Sequence, residues 1–160
     1  GGIIYLPPVT SDGTTGPQWI ERLESKKFRL NKYTKSVFCS DNFKPTNGVT
    51  TEIAIIKGEI FEDTDRITKE IRALADLLKF IKPNPEAACL IREMFMDEEI
   101  EAMGLWWIIT MHEPIESSDG DPVLLGAHRY GGGRWLNACC DDLGRRWYRG
   151  RGFAFAVSQV

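Results

Sequence analysis

The chain has 160 residues, of which 42% are hydrophobic and 11% aromatic, so it can bury one ordinary core. No apolar run approaches the roughly eighteen residues that a membrane helix needs, and no charged segment leads into an apolar one as in a signal peptide. These features predict a cytoplasmic domain and argue against a membrane-embedded protein.

The net charge of −3 conceals an uneven distribution along the chain. Residues 122–160 contain six Arg, no Lys and two Asp, which gives +4 and leaves −7 for residues 1–121. A segment that uses only Arg favours two-pronged recognition of carboxylate or phosphate groups and stacking on aromatic rings. The acidic remainder argues against a protein that coats nucleic acid without specificity.

The cysteines at positions 39, 89, 139 and 140 form no CxxC pair and fit no disulfide framework, so all four are predicted to be thiols. Neighbouring residues of a strand point to opposite faces, which makes Cys139 and Cys140 a weak zinc signature. A cysteine nucleophile would need a histidine base that the order of residues does not supply.

Residues 1–14 are rich in Pro, Thr, Ser and Gly, which predicts an extended lead-in, with Gly1-Gly2 interpreted as the scar of a cleaved tag. A single α+β domain would then occupy residues 15–160. The capping-box pattern of Thr15 and Gln18 predicts a helix that ends near Lys27. A second short helix is predicted between residues 28 and 43, and a β-branched strand over residues 49–57.

From residue 64 onward, apolar residues recur at steps of four and three, as a one-sided amphipathic helix requires. This helix is predicted to bury Ile67, Ile71, Leu74 and Leu78 against a sheet. Two prolines, at positions 83 and 85, separate it from the next helix, and a short acidic helix is predicted between residues 97 and 104.

The helical period disappears after residue 104, and residues 105–115, 122–130, 134–140 and 153–160 have the pattern of strands. Short connections favour antiparallel neighbours, with the strand around Ile53 at the edge. The predicted fold class is therefore α+β, with helices in the N-terminal two thirds packed on a C-terminal antiparallel meander sheet of about four to five strands. Phe153 and Phe155 alternate with Ala154, which predicts helices on the phenylalanine side and a shallow groove on the other.

Three segments carry a resemblance to known sequences: AACLIRE at 87–93, MGLWWI at 103–108 and MHEPI at 111–115. They resemble a group of uncharacterised proteins from uncultured, small-genome bacteria, and the similarity extends to the helix at Trp19-Ile20 and to residues 152–155. The resemblance implies a bacterial origin and brings no activity, fold or catalytic residues.

The first candidate site is an arginine and aromatic set in the last third of the chain. Its members are Arg129, Tyr130, Arg134, Trp135, Arg145, Arg146, Trp147, Tyr148, Arg149 and Arg151. Guanidinium groups stack on aromatic faces and form paired hydrogen bonds to phosphate or carboxylate oxygens, so this composition suits an anionic ligand. The alternative is that these arginines solvate one face of the sheet and pair with the acidic helices.

The second candidate site joins two histidines with nearby carboxylates. A metal-dependent hydrolase would use His112, Glu113 and His128 in catalysis, with His112, Asp119, Asp121 and His128 as metal ligands. A two-residue turn at residues 119–120 would place the histidines on opposite faces, whereas a three-residue turn at 118–120 would make them diagonal neighbours. The triple glycine at 131–133 links two strands and is predicted to be a turn, since no helix follows it to face a phosphate.

The favoured function is a non-enzymatic binding or interaction module for an anionic ligand or partner, without a cofactor. The contact surface would be the outer face of the sheet together with the loop at residues 145–151, because loops on a rigid sheet usually present contacts. Nucleic acid is an allowed but not the favoured partner, and no membrane is involved. The second choice is the small metal-dependent hydrolase centred on the histidine hairpin.

Overall fold

The computed structural model describes residues 1–131, 133–142 and 144–158. The helices are α1 (Gly16–Ser25), α2 (Lys32–Phe38), α3 (Thr68–Leu77), α4 (Glu86–Met94) and α5 (Asp97–Ala102). Within these described ranges, no helix combines the length and apolar character needed to cross a lipid bilayer.

The strands are β1 (Ile3–Tyr5), β2 (Val9–Asp12), β3 (Phe28–Arg29), β4 (Asn47–Thr51), β5 (Ile53–Lys57), β6 (Phe80–Ile81), β7 (Trp107–Thr110), β8 (Ile115–Glu116), β9 (Pro122–Tyr130), β10 (Gly133–Cys140) and β11 (Arg151–Val157). Nine of them form one sheet in the order β1-β5-β11-β7-β9-β10-β3, with β6 paired to β11 and β8 to β9. The remaining two, β2 and β4, form a separate antiparallel pair.

The predicted antiparallel meander of about four to five strands is wrong, because the main sheet is larger and mixed. Two pairs are parallel, β3 with β10 and β7 with β11. Strands β1, β3, β5 and β6 alternate with the helices in the first part of the chain, so helices and sheet are not separated along the sequence. The strand around Ile53 is not at the edge, since β1 covers its outer side.

The parallel pairing of β7 and β11 follows from the long connection at residues 141–150. The strand order places β7 and β9 between β10 and β11, so this connection crosses two strands instead of forming a hairpin. Trp147 holds it in place, because its side chain is only 3% exposed and its Nε1 donates to Oγ1 of Thr68 at 2.9 Å. Arg66 adds two bonds, accepting from the Trp147 amide and donating to the Trp147 carbonyl. Leu143 lies outside the described residues.

The first part of the chain follows its local signals. The capping box is present as predicted, since Oγ1 of Thr15 accepts from the Gln18 amide and Oε1 of Gln18 accepts from the Thr15 amide. The helix that follows ends at Ser25, close to the predicted end. The extended lead-in contains β1 and β2, and β1 is one edge of the main sheet.

Helix α3 buries only part of the predicted face. Ile71 is fully buried and Leu74 is half-buried, but Leu78 is 38% exposed and Ile67 precedes the helix. Because the helix begins at residue 68 and ends at 77, the small residues Thr68 and Ala75 complete the buried face. The apolar spacing thus predicted the helix correctly, but its buried face includes Thr68 and Ala75 in place of Ile67 and Leu78.

Both faces of the sheet are covered over most of their area. On one face, α4 and α5 pack Ala87, Ile91 and Ile100 in a cluster that includes Ala154. The shallow groove predicted on the alanine side is therefore filled. On the other face, α3 packs over Phe153 and Phe155. The end of this second face where β7 and β11 begin lies beyond α3, and it contains part of the candidate site.

Candidate anion-binding surface

Five side chains form a row across five strands at the open end of the sheet. Arg151 pairs with Trp107, Trp107 with His128, His128 with Trp135, and Trp135 with Arg29. Direct partners in neighbouring strands share one face of a sheet. Since neighbouring strands lie about 4.8 Å apart, the row extends for roughly 19 Å. These five residues are called the cross-strand row below.

The centre of the row is a stack of Trp107 on His128. Their ring centroids are 3.7 Å apart and their planes differ by 19°. Gly126 leaves the space that the indole occupies, because a Cβ at that position would lie 2.9 Å from Cε3 of Trp107. At the edge of the imidazole, Nδ2 of Asn137 lies 3.3 Å from Nδ1 of His128. His128 is thus held in place by the Trp107 ring on one face and by the side-chain amide of Asn137 at its edge.

His128 is neutral in the folded protein at physiological pH. Burial, followed by the positive charges of Arg151 and Arg92, lowers its pKa from 6.5 to about 4. A bound anion would offset the two guanidinium charges and raise this pKa, because an opposite charge nearby favours the protonated form. His128 therefore reports on the charge at the centre of the row.

The two ends of the row are arginines placed on aromatic rings. The Arg151 guanidinium lies 4.8 Å from the Trp107 ring and 5.2 Å from the Tyr148 ring. Arg29 lies 5.7 Å from the ring of Trp135. Burial lowers the pKa of Arg151 without removing its charge at neutral pH. Cation–π contacts of this kind fix the plane of a guanidinium while leaving its N–H groups free to donate.

A second arginine–aromatic pair lies at the same end of the sheet but on the opposite face, because Arg129 follows His128 directly in β9. The Arg129 guanidinium lies 3.8 Å from the Trp106 ring, and its Nε donates to the Leu105 carbonyl at 2.9 Å. Its Nη1 is 3.6 Å from the Glu101 carboxylate. Trp106 itself is 55% exposed, so the indole is available from the solvent.

Two surface depressions meet at Trp106. The first, of about 490 Å³, is lined by Trp106, Arg129, Tyr130, Arg134 and Asp97 and is called the Arg129 depression. The second, of about 250 Å³, is lined by Trp106, Trp107, His128, Tyr148 and Arg151 and is called the Arg151 depression. Each combines arginine with at least two aromatic rings, and the indole of Trp106 is common to both.

The other predicted residues of this set lie in different environments. Arg134 donates to the Lys26 carbonyl at 2.7 Å, and Arg145 stacks on Trp147 at 4.6 Å. Trp147 belongs to the core and cannot contact a ligand. Arg146 and Arg149 are exposed on the crossing loop. The predicted set is thus divided between the open surface and the buried anchor of the loop.

The alternative in which the arginines pair with the acidic helices applies to one residue. Among the described residues, Arg129 is the only one of the six C-terminal arginines that forms an ion pair, and its partner is Glu101 of α5. The acidic helices mainly pair with arginines from elsewhere, such as Arg92 with Asp97 and Arg22 with Glu93. The other five C-terminal arginines form no ion pair within the described chain, although Arg149 shares a depression with Glu59, Glu62 and Asp63.

The backbone beneath the row is supported by a buried arginine that sequence analysis did not identify. Arg92 of α4 is 0% exposed, and its Nη1 donates to the Trp135 carbonyl at 3.1 Å. Its Nη2 donates to the Phe95 carbonyl at 2.8 Å and to the Asp97 carboxylate at 3.0 Å. Burial lowers its pKa, but the group stays charged at neutral pH. Arg92 thus adds positive potential behind His128 and fixes strand β10 to the helices.

Of the two turns that the sequence left open, the histidine hairpin has the three-residue turn at 118–120. Ser117 pairs with Asp121, and the Ser117 amide donates to the Asp121 carbonyl at 2.9 Å. Between β8 and β7, however, the register against β9 changes by three residues, so that His128 pairs with Trp107. His112 is 0% exposed, its Nδ1 donates to the Glu113 carbonyl at 2.7 Å, and its Nε2 accepts from the Leu125 amide at 3.0 Å. Both of its ring nitrogens are therefore occupied by backbone groups.

The other members of the predicted metal site are dispersed. Glu113 pairs with Lys82 at 2.6 Å, while Asp119 and Asp121 are exposed at the turn. Across the described ranges, no group of three or more His, Cys, Asp or Glu side chains could hold a metal ion. The metal-dependent hydrolase remains a prediction, and the described residues supply no set of metal ligands for it.

Three contributors to the surface were not among the predicted site residues: Arg29, Trp106 and Trp107. The adjacent Trp106 and Trp107 could have indicated a binding surface, because neighbouring residues of a strand point to opposite faces and both indoles need not pack in the core. Arg29 gave none, since β3 has only two residues and its pairing with β10 depends on distant contacts. Comparison with protein-family models, curated proteins and solved structures gives no match, so function must be inferred from the geometry.

Proposed function

We propose that this chain is a non-enzymatic binding module whose surface for an anionic ligand or partner consists of the cross-strand row and the two depressions beside it. The proposal depends on the environment of the Arg151 guanidinium. This guanidinium is half-buried and stacked between Trp107 and Tyr148, yet within the described residues none of its N–H groups has a carboxylate or carbonyl acceptor. A phosphate, sulfate or carboxylate group would supply that acceptor.

The charge around Arg151 supports the same conclusion. Arg129 is placed on the other side of Trp106, and Arg134 lines the same depression as Arg129. Their rings and carbonyl partners hold these side chains in position, so less rotamer entropy is lost when an anion binds. The shared planar geometry of guanidinium and aromatic rings favours a ligand that has both negative charge and flat surfaces.

The proposal is tested by measuring binding to heparin, a sulfated polyanion, with purified protein at low and at physiological salt. Binding should weaken steeply as salt rises, since exposed charges are screened beyond about 8–10 Å at physiological ionic strength. The double variant Arg129→Ala/Arg151→Ala should lose most of the affinity. Lys44→Ala/Lys82→Ala is the matched control, because it removes the same charge from exposed residues outside both depressions.

The two double variants separate site binding from a general charge effect. The control variant should bind heparin nearly as well as the original chain. Equal loss in both variants would show that only net charge matters and would refute the proposed surface. Arg151→Lys, which keeps the charge but not the planar fork, should show an intermediate affinity.

A further inference from the structure

Three large aromatic side chains are exposed around the two depressions. Trp106 is 55% exposed, Tyr130 is 63% exposed and Tyr148 is 73% exposed. Trp106 and Tyr130 border the Arg129 depression, and Trp106 and Tyr148 border the Arg151 depression. Exposed rings that lie next to arginines are the composition of surfaces on which bases stack while phosphates are held by positive charge.

We infer that the ligand is a single-stranded nucleic acid, whose bases stack on Trp106, Tyr130 and Tyr148 and whose phosphates meet Arg129 and Arg151. This inference rests on the proposed function and specifies its ligand. Bases supply the flat surfaces that the exposed rings can cover, and the sugar–phosphate chain supplies negative charge at regular intervals. The surface therefore complements both components of the same polymer.

Other anionic polymers use only part of this surface. An acidic peptide offers carboxylates to the arginines but no flat groups to the three exposed rings. A duplex keeps its bases paired and stacked inside, so the rings could reach them only after strand separation. The acidic remainder of the chain, with −7 over residues 1–121, would also repel a long duplex that extends beyond the patch.

The two depressions set a minimum length for the ligand. They share the indole of Trp106. The Arg129 depression also has Arg129, Arg134 and the exposed Tyr130, and the Arg151 depression has Arg151 and the exposed Tyr148. A chain that places one base in each depression passes Trp106 between two neighbouring nucleotides. A segment of at least two nucleotides is thus needed to contact both Arg129 and Arg151, and a free mononucleotide could occupy only one depression.

The test compares four probes by fluorescence anisotropy: an oligothymidylate of about eight nucleotides, its abasic analogue, the corresponding duplex, and polyglutamate of similar charge. The oligothymidylate should bind about tenfold more tightly than the abasic analogue, which has the same phosphates but no bases. Equal affinity for these two would overturn the inference, as would tighter binding of the duplex or of polyglutamate. Heparin binding that survives such a result would leave the proposed function intact, whereas loss of binding to every polyanion would refute both.

Two aromatic variants provide a matched comparison. Tyr148→Ala removes an exposed ring from the surface, while Tyr5→Ala removes a ring that is 66% exposed on β1, away from the depressions. Tyr148→Ala and Trp106→Ala should lower the affinity for oligothymidylate severalfold and the affinity for the abasic analogue much less, because the rings also position Arg151 and Arg129. Tyr5→Ala should change neither. An equal loss of affinity for both probes in Tyr148→Ala would assign the ring to positioning Arg151 alone and would refute base stacking there.

Discussion

Gly126 of β9 lies beneath the indole of Trp107, and a Cβ at this position would be 2.9 Å from the Trp107 Cε3 atom. The same Cβ would also be 2.9 Å from Cδ1 of Ile109, which is fully buried. The stack of Trp107 on His128 therefore depends on the absence of a side chain two residues before the histidine. The glycine is required for space and not for an unusual backbone conformation.

Gly126→Ala is expected to destabilise the fold by about 1–3 kcal/mol, because the indole and Ile109 must both shift. It should also weaken heparin binding, since Trp107 supports Arg151. Gly131→Ala is the control for stability, because a Cβ there would meet nothing within 4 Å. Urea denaturation with tryptophan fluorescence measures both variants. Equal stability of Gly126→Ala and the original chain would contradict the tight contact.

The two histidines predict a loss of stability in mild acid. Burial lowers the pKa of His112 from 6.5 to about 4, and that of His128 to about 4 as well. The unfolded chain thus takes up protons below about pH 6.5, while the folded chain does so only near pH 4. The stabilisation is complete above about 6.5 and is lost as the pH falls toward 4. His112 alone should contribute on the order of 3 kcal/mol, and the half-buried His128 less.

Urea denaturation between about pH 7 and about pH 4.5 measures this effect. In His112→Gln the free energy of unfolding should depend less on pH across this window, whatever its absolute value. Carboxylates affect the stability only at lower pH. The pKa of Asp12 is about 2 in the folded protein, so its contribution to stability is lost as the pH falls below the usual pKa of 3.8. A free energy of unfolding that stays constant from neutral pH to about pH 4.5 would contradict the burial of both imidazoles.

Local signals in the sequence predicted local structure well. The capping box at Thr15 was predicted, and the three-residue turn after Ser117 was one of two turns that the sequence left open, because each depends on residues close together in the chain. The β9–β10 hairpin was likewise predicted from its spacing, although Gly132 lies outside the described residues. The final strand was predicted to run to residue 160, and β11 ends at Val157, with residues 159–160 also outside the described ranges.

The order of strands and the composition of the site could not be predicted in the same way. Continuing the register of the turn would place Thr110 opposite His128, but the structure places Trp107 there. The difference of three residues is absorbed around His112, whose Nε2 accepts the Leu125 amide. Such an irregularity is decided by tertiary packing, so the row across the sheet has no signature in a single sequence.

Helix α3 provides a direct test of the corrected packing. Ile71→Ala should lower the free energy of unfolding by about 2–5 kcal/mol, because Ile71 is 0% exposed. Leu77→Ala is the matched control on the same helix, and its 79% exposure predicts a change of less than about 0.5 kcal/mol. Urea denaturation of both variants decides the matter. A larger effect for Leu77 than for Ile71 would show that the helix is rotated.

The four cysteines should react as two pairs with a thiol reagent. All are free thiols in the structure, with Cys39 and Cys140 exposed and Cys89 and Cys139 buried. Burial raises the pKa of Cys139 to about 12 and that of Cys89 well above 9.0. Ellman's reagent should therefore modify Cys39 and Cys140 in the native protein and all four under denaturant. A count below four under denaturant would contradict the thiol prediction.

The buried guanidinium of Arg92 links the stability of the fold to the binding surface. Arg92→Met fills a similar volume but leaves the carbonyls of Trp135 and Phe95 without donors, so the loss should be about 3 kcal/mol or more. Arg92→Lys keeps the charge, yet a single ammonium group cannot reach acceptors on both β10 and the start of α5. It should also destabilise the chain and weaken heparin binding, because His128 and Trp135 would lose their fixed backbone.

Arg22 is the control for Arg92, since it pairs with Asp12 and Glu93, its side chain is 31% exposed, and Lys26 also pairs with Glu93. Arg22→Met should cost less stability than Arg92→Met, because Lys26 still pairs with Glu93, and it should leave heparin binding close to that of the original chain. Affinities are compared at a temperature where every variant is folded, as judged by circular dichroism, so that unfolding does not imitate a loss of binding. If Arg92→Lys were as stable as the original chain and bound heparin equally well, the support beneath the cross-strand row would not depend on the guanidinium.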